Sequence, residues 1–195
     1  MAKKKSKTKP KKKKTKARPR RKPPVRAKAK KSKPKKAKSR TVAAAKLTAL
    51  PNLEVDTTGG NRLRLSGLKG KNVVLYFYPK DDTPGCTAES CDIRDRYAQF
   101  QRNDTDVFGV SRDSVGSHEK FKSKFGFPFE LISDPDETLC RTFDVMRKKS
   151  LYGREYIGVE RSTFVFDKQG KLRQEYRGVK VDGHADELLS VLNQL

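Results

Sequence analysis

Val73-Val-Leu-Tyr-Phe-Tyr78, followed at once by Pro79-Lys-Asp-Asp-Thr-Pro-Gly-Cys86, is the stretch that decides the fold. Its first six residues are β-branched, aromatic or apolar with no polar alternation, the pattern of a strand buried on both faces of a sheet. Pro79, Pro84 and Gly85 break that strand. From Cys86 to about Arg102 the apolar positions Ile93, Tyr97 and Phe100 recur on one helical face. The stretch reads as strand, loop and helix, with a cysteine carried from the strand end onto the first turn of the helix.

Upstream, Thr58-Gly-Gly-Asn61 reads as a turn, so residues 53–66 are expected to form a small hairpin. Downstream, Val107-Phe-Gly-Val110 is a second apolar strand. Ser117 to Phe125 is a helix with Phe121 and Phe125 on one face. Ser133-Asp-Pro-Asp-Glu137 predicts a helix start, with Asp134 as cap and Pro135 at the first helical position, leading to Leu139, Cys140 and Phe143. Ser162-Thr-Phe-Val-Phe166, the turn Asp167-Lys-Gln-Gly170 and Lys171 to Gly178 make a hairpin. Asp182 to Leu195 closes the chain as a helix with Leu188, Leu189 and Leu192 inward. Strands alternating with helices, then a hairpin and a helix, indicate an α/β sandwich around a mixed sheet.

The net charge of +24 over 195 residues is unevenly distributed. Residues 1–50 hold 24 basic and no acidic residues, and the other 145 hold 23 of each sign. A segment so charged and so poor in large apolar groups cannot offset its chain entropy by burial. The expected organisation is a disordered Lys/Pro/Ala-rich tail, 1–45, and one domain, 46–195. No stretch reaches the roughly 18 apolar residues of a membrane span. Val42 to Ala45 is too short a run for a secretory signal, and Lys and Pro dominate where a transit peptide favours Arg and Ser. Three cysteines, Cys86, Cys91 and Cys140, are too few for a secreted disulfide framework and point to a reducing compartment with reactive thiols.

Cys86 carries the chemistry. Open N–H groups at a helix start, with a cation nearby, stabilise a thiolate; the bland alternative is a small thiol that merely packs. The surrounding residues favour the first. Pro79, Thr83 and Cys86 stand in a P-x-x-x-T-x-x-C arrangement, and Thr83-Pro-Gly-Cys-Thr87 followed by Cys91 is similar to the Q-type, or bacterioferritin comigratory protein, branch of the peroxiredoxins. The resemblance extends over about 46–195, including Tyr76-Phe-Tyr-Pro79 and Glu160-Arg-Ser-Thr-Phe164, and leaves out the tail.

The resemblance implies a thioredoxin-like fold and thiol-dependent reduction of hydrogen peroxide and organic hydroperoxides; no phosphate loop, dinucleotide fingerprint or Ser-His-Asp arrangement is visible, so no cofactor is expected. The resemblance also implies roles: Cys86 as nucleophile, Thr83 as hydrogen-bond donor to the peroxide, Pro79 as a shield against water, and Arg161 as the cation beside the sulfur. Without the resemblance Arg161 is one basic residue among 47. Glu89 either joins this network or supplies helix-start charge. Cys91 is the implied resolving thiol, with thioredoxin as reductant. On an intact helix a spacing of five residues puts the two cysteines about 140° apart with a rise of about 7.5 Å, so the first turn must unwind before a disulfide closes. Cys140 is expected to be a buried structural thiol. His118 and His184 are assigned no catalytic role, and paired zinc-ligand spacing is absent.

The tail looks like those of linker-histone-type proteins. Without an aromatic residue it is suited to neutralising phosphates of DNA or RNA, not to reading bases. A solubilising extension, and a nuclear-localisation signal in a eukaryote, fit the same composition. The expected setting is a cytoplasmic, nucleoid-associated monomer. A nucleic-acid-coating protein with a redox-sensing thiol domain is the alternative. A general dithiol oxidoreductase ranks last for want of C-x-x-C.

Overall fold

In a computed structural model the described residues are 47–151 and 153–195; the basic tail, 1–45, lies outside them. The elements run β1 (Glu54–Thr57), β2 (Arg62–Arg64), β3 (Asn72–Phe77), α1 (Pro84–Asp95), α2 (Tyr97–Arg102), β4 (Thr105–Ser111), α3 (Val115–Phe125), β5 (Glu130–Ser133), α4 (Thr138–Thr142), β6 (Met146–Leu151), β7 (Arg154–Val159), β8 (Ser162–Phe166), β9 (Leu172–Arg177) and α5 (His184–Leu192). Seven strands form one sheet in the order β2-β1-β5-β4-β3-β8-β9, and β6 pairs with β7 in a separate hairpin. β3 is parallel to β4 and antiparallel to β8. This is the mixed, helix-flanked, thioredoxin-like α/β sheet that the resemblance implies.

The unbroken apolar run of β3 is explained by its place between β4 and β8, with every residue buried. Alternation at period two splits it between two cores. Val73, Leu75 and Phe77 face Phe143, Phe164 and Phe166, while Val74, Tyr76 and Tyr78 face Ile93, Phe100, Phe121 and Leu188. Each such fully buried side chain contributes roughly 1.5–3 kcal/mol. On β4, a Cβ at Gly109 would lie 2.6 Å from the Tyr76 hydroxyl, so a glycine is required where the Tyr76 ring crosses the neighbouring strand.

The structure corrects two expectations. The helix from Cys86 to Arg102 is two helices, broken at Arg96, whose ψ of 5° leaves the helical range. Pro135 is not a first helical residue: α4 begins at Thr138 after Glu137, which adopts a left-handed φ of 58°. Asp134 nonetheless caps the helix from four residues back, its two carboxylate oxygens accepting the Leu139 and Cys140 N–H groups at 3.0 and 2.8 Å. The hairpin β6–β7 and strand β5 have no counterpart in the sequence reading.

Candidate active site

The loop between β3 and α1 ends at Thr83, whose extended backbone makes it the N-cap of α1, with Pro84 as the first helical residue. Pro84 has no N–H to orphan, so it costs nothing there. The first i→i+4 bond runs from Thr87 N to the Thr83 carbonyl at 2.8 Å. No side chain of Thr83 caps the helix, which leaves the Gly85 and Cys86 N–H groups at the open end. The Thr83 hydroxyl donates to the Lys80 carbonyl at 3.1 Å instead. The hydroxyl proton expected to serve the peroxide is thus committed to the loop in this structure.

Cys86 is 1% exposed. Its sulfur lies 3.4 Å from Nη2 of Arg161, which donates to it. Arg161 arrives there through sheet register. Phe77 of β3 pairs with Ser162 of β8, so the residue before Ser162 falls opposite Tyr78, where the loop to Cys86 begins. Its backbone is tied down by Val179 N, which donates to the Arg161 carbonyl at 3.0 Å. Gly85 makes room for the guanidinium, because a Cβ there would stand 3.3 Å from Nη2.

Nη1 of Arg161 donates to Oε2 of Glu89, one helical turn beyond Cys86. Glu89 is 2% exposed, and its Oε1 is buried without a hydrogen-bond partner. Burial pushes the Glu89 carboxyl up to about 7, against the opposing pull of Arg161. Arg161 is itself kept charged, since its neighbours Glu89 and Cys86 outweigh its desolvation. One guanidinium therefore bridges a thiol and a carboxyl that can be neutral or charged near neutral pH.

Cys91 is half-buried on the same unbroken helix, and all three cysteines are free thiols. Pro79 is half-buried between Tyr78 and the loop. Cys140 is fully buried on α4, where burial and Asp134 push its thiol far above the usual range. His184 is buried and bonded to the Thr163 hydroxyl at 2.8 Å. The structure thus brings Cys86, Arg161 and Glu89 into direct contact, sets Pro79 and Thr83 on the loop leading to them, and keeps Cys140 and both histidines apart. Among the described residues no cluster of three or more His, Cys, Asp or Glu side chains is placed to hold a metal ion.

Lys149 was not singled out by its sequence context. Its ammonium donates to the Val159 carbonyl at 2.7 Å. Burial and the neighbouring Arg161 hold it below the ordinary lysine range, with Glu160 and Cys86 opposing. No local pattern marks it among the basic residues; only the pairing of β6 with β7 carries it to the site.

The AhpC/TSA family model matches residues 47–175. Peroxiredoxin Bcp of Bacillus subtilis is 48% identical over 145 residues, covering 74% of this chain and 92% of the relative. A structure of peroxiredoxin Q from Xanthomonas campestris superposes with a TM-score of 0.72 at 45% identity, over 76% of this chain and 96% of that one. Another structure, of the bacterioferritin comigratory protein of the same organism, concerns its alkyl peroxide reduction activity; it gives a TM-score of 0.72 at 44% identity, over 76% and 97% of the two chains.

Proposed function

This chain belongs to the AhpC/TSA family, as a peroxidase of the Bcp/PrxQ group, and from that premise we propose that Cys86 is its nucleophile, Arg161 its electrostatic partner and Cys91 its resolving thiol. The observation that carries this reading is the Arg161 guanidinium 3.4 Å from a sulfur at the open start of a helix. Arg161 stabilises the thiolate and cannot lose its own charge.

The thiolate attacks the terminal oxygen of a hydroperoxide, the O–O bond breaks, and the departing oxygen leaves as water or alcohol after taking up a proton. Arg161 and the Cys86 N–H stabilise charge growing on that oxygen. With its own proton on Lys80, the Thr83 oxygen is an acceptor for the peroxide O–H, which orients the peroxide for in-line attack. Pro79 limits water at the sulfur. The nearly enclosed sulfur suits a reagent that presents a slim O–O–H group, so hydrogen peroxide and organic hydroperoxides are the substrate class. The alkyl peroxide reduction named for the Xanthomonas campestris protein agrees with this class.

Cys86 is left as a sulfenic acid. The Cys91 thiol condenses with it, forming a disulfide and releasing water. A dithiol of thioredoxin then reduces that disulfide by exchange. The intramolecular pair requires no second subunit, in keeping with a monomer. In this scheme residues 46–195 are the catalytic domain. The basic segment 1–45 holds the enzyme on nucleic acid by phosphate neutralisation, at the nucleoid of a cytoplasm. Among the described residues no helix is long and apolar enough to cross a membrane.

Peroxide consumption with thioredoxin, its reductase and NADPH tests the scheme: Cys86→Ser abolishes turnover, and Cys91→Ser stops after about one equivalent. Retention of the full chain on a polyanion column, lost in a variant without residues 2–45 and falling steeply with salt, tests the tail.

A further inference from the structure

Directly behind the loop that carries Pro79 and Thr83 lies a polar cluster the peroxidase scheme does not use. Asp81 is 7% exposed and His118 is fully buried. The Asp81 carboxylate accepts from the Tyr78 hydroxyl at 2.8 Å and from the Ser117 hydroxyl at 2.7 Å. His118 Nδ1 lies 3.0 and 2.9 Å from its two oxygens. The backbone N–H of Asp81 donates to Asp113 at 2.8 Å, and Asp113 is held in turn by the Ser111 hydroxyl at 2.8 Å. On its far side His118 presents Nε2 to the Ile132 carbonyl at 3.1 Å.

Both ring nitrogens of His118 thus face oxygen acceptors. Nδ1 meets the Asp81 carboxylate and Nε2 the Ile132 carbonyl, so the pair is joined by a carboxylate–imidazole hydrogen bond shielded from water. Groups from the end of β3, the end of β4, α3 and β5 converge on one loop residue. The contrast with the next two residues is sharp. Asp82 has a left-handed φ of 54° and only a mostly exposed pairing with Lys124, and Thr83 makes no side-chain cap to α1. The chain is anchored at Asp81, more lightly held over the exposed or half-exposed residues 82–85, and held again where Cys86 and Glu89 meet Arg161.

We propose that Asp81 and His118 are positioning residues: they hold the loop in the geometry that peroxide attack requires and fix the point from which the first turn of α1 unwinds when Cys86 meets Cys91. This rests on the peroxidase reading above. The pair assists formation of the sulfenic acid, which needs Thr83 and the helix start in place. It does not assist the condensation with Cys91, which needs the turn beyond Asp82 to open.

The two steps are separable by rapid mixing of the reduced full-length protein with hydrogen peroxide, quenching, and mass analysis of sulfenic acid and disulfide. Asp81→Ala is expected to slow Cys86 oxidation about tenfold or more, with disulfide formation unchanged or faster. Asp81→Asn, which keeps an oxygen acceptor for Tyr78 and turns an amide N–H toward Nδ1 where the carboxylate had accepted, restores oxidation to within about threefold of wild type. Ser117→Ala removes a single donor and gives the same split at about threefold, which covers the case of Asp81→Ala failing to fold. A loss of general structural integrity would slow both steps and would not be rescued by Asn. The proposal is overturned if folded variants slow both steps equally, or if Ser117→Ala and every folded Asp81 variant oxidise Cys86 within about twofold of wild type. A wild-type protein that fails to form the sulfenic acid at all overturns the peroxidase reading, a separate outcome.

Discussion

Arg161 Nη2 and Cys86 Sγ stand 3.4 Å apart although 75 positions separate the residues in the chain. The contact exists because β8 runs antiparallel to β3 in a register that ends at Phe77 and Ser162, with a glycine at position 85 to admit the guanidinium.

Arg161→Lys keeps a positive charge but replaces the two separate coplanar nitrogens that meet Cys86 and Glu89 by a single one. It is expected to lower the rate of Cys86 oxidation by about 10²-fold, in line with the loss of one positioned donor to a developing oxyanion. Stopped-flow competition for peroxide measures this; a rate within about threefold of wild type would remove Arg161 from the mechanism.

Gly85→Ala places a methyl group 3.3 Å from Nη2. The expected outcome is slower peroxide reduction, by about tenfold, at equal or greater thermal stability, because alanine is the better helix former by about 1 kcal/mol. Parallel loss of activity and stability would point to a folding defect instead.

Glu89 makes a pH prediction. Its folded-state carboxyl lies up at about 7 against an ordinary 4.5, so between those values the folded chain holds a proton the unfolded chain has lost. The stability this contributes is complete below about 4.5, falls as pH rises, and is gone above about 7. Thermal unfolding from pH 4 to 8 is expected to show wild type losing ground to Glu89→Gln across that window. A constant difference between the two contradicts the assignment.

Cys140→Ala is expected to leave peroxide turnover unchanged while costing about 1 kcal/mol for the small cavity left in a fully buried position. Turnover at saturating reductant and a denaturant titration decide this. A tenfold fall in turnover would give Cys140 a part in the cycle.

How much of this was legible follows the physics of each element. β3 could be read because a strand buried on both faces must be apolar at every position, and Cys86 because prolines and a glycine punctuate the strand-to-helix passage. Asp134 was found as a cap by composition, yet its reach across Pro135, Asp136 and the left-handed Glu137 has no local signal. β6 and β7 were missed because neither strand alternates cleanly: Tyr156 and Ile157 are both exposed, and Arg147, Lys148 and Lys149 read as surface charge. Arg161 came only from family resemblance, since register between distant strands leaves no mark around it. Glu89 was left between a network role and a helix-start charge, and its burial beside Arg161 favours the first. Asp81 and His118, 37 positions apart, carry no pattern that joins them.

The most direct test adds one equivalent of hydrogen peroxide to the reduced protein and identifies the oxidised residue by mass analysis. Wild type is expected to lose two hydrogens as a Cys86–Cys91 disulfide, Cys91→Ser to gain one oxygen at Cys86, and Cys86→Ser to remain unchanged. Rapid oxidation of Cys91 or Cys140 in the Cys86→Ser protein, at the wild-type rate, would contradict the account.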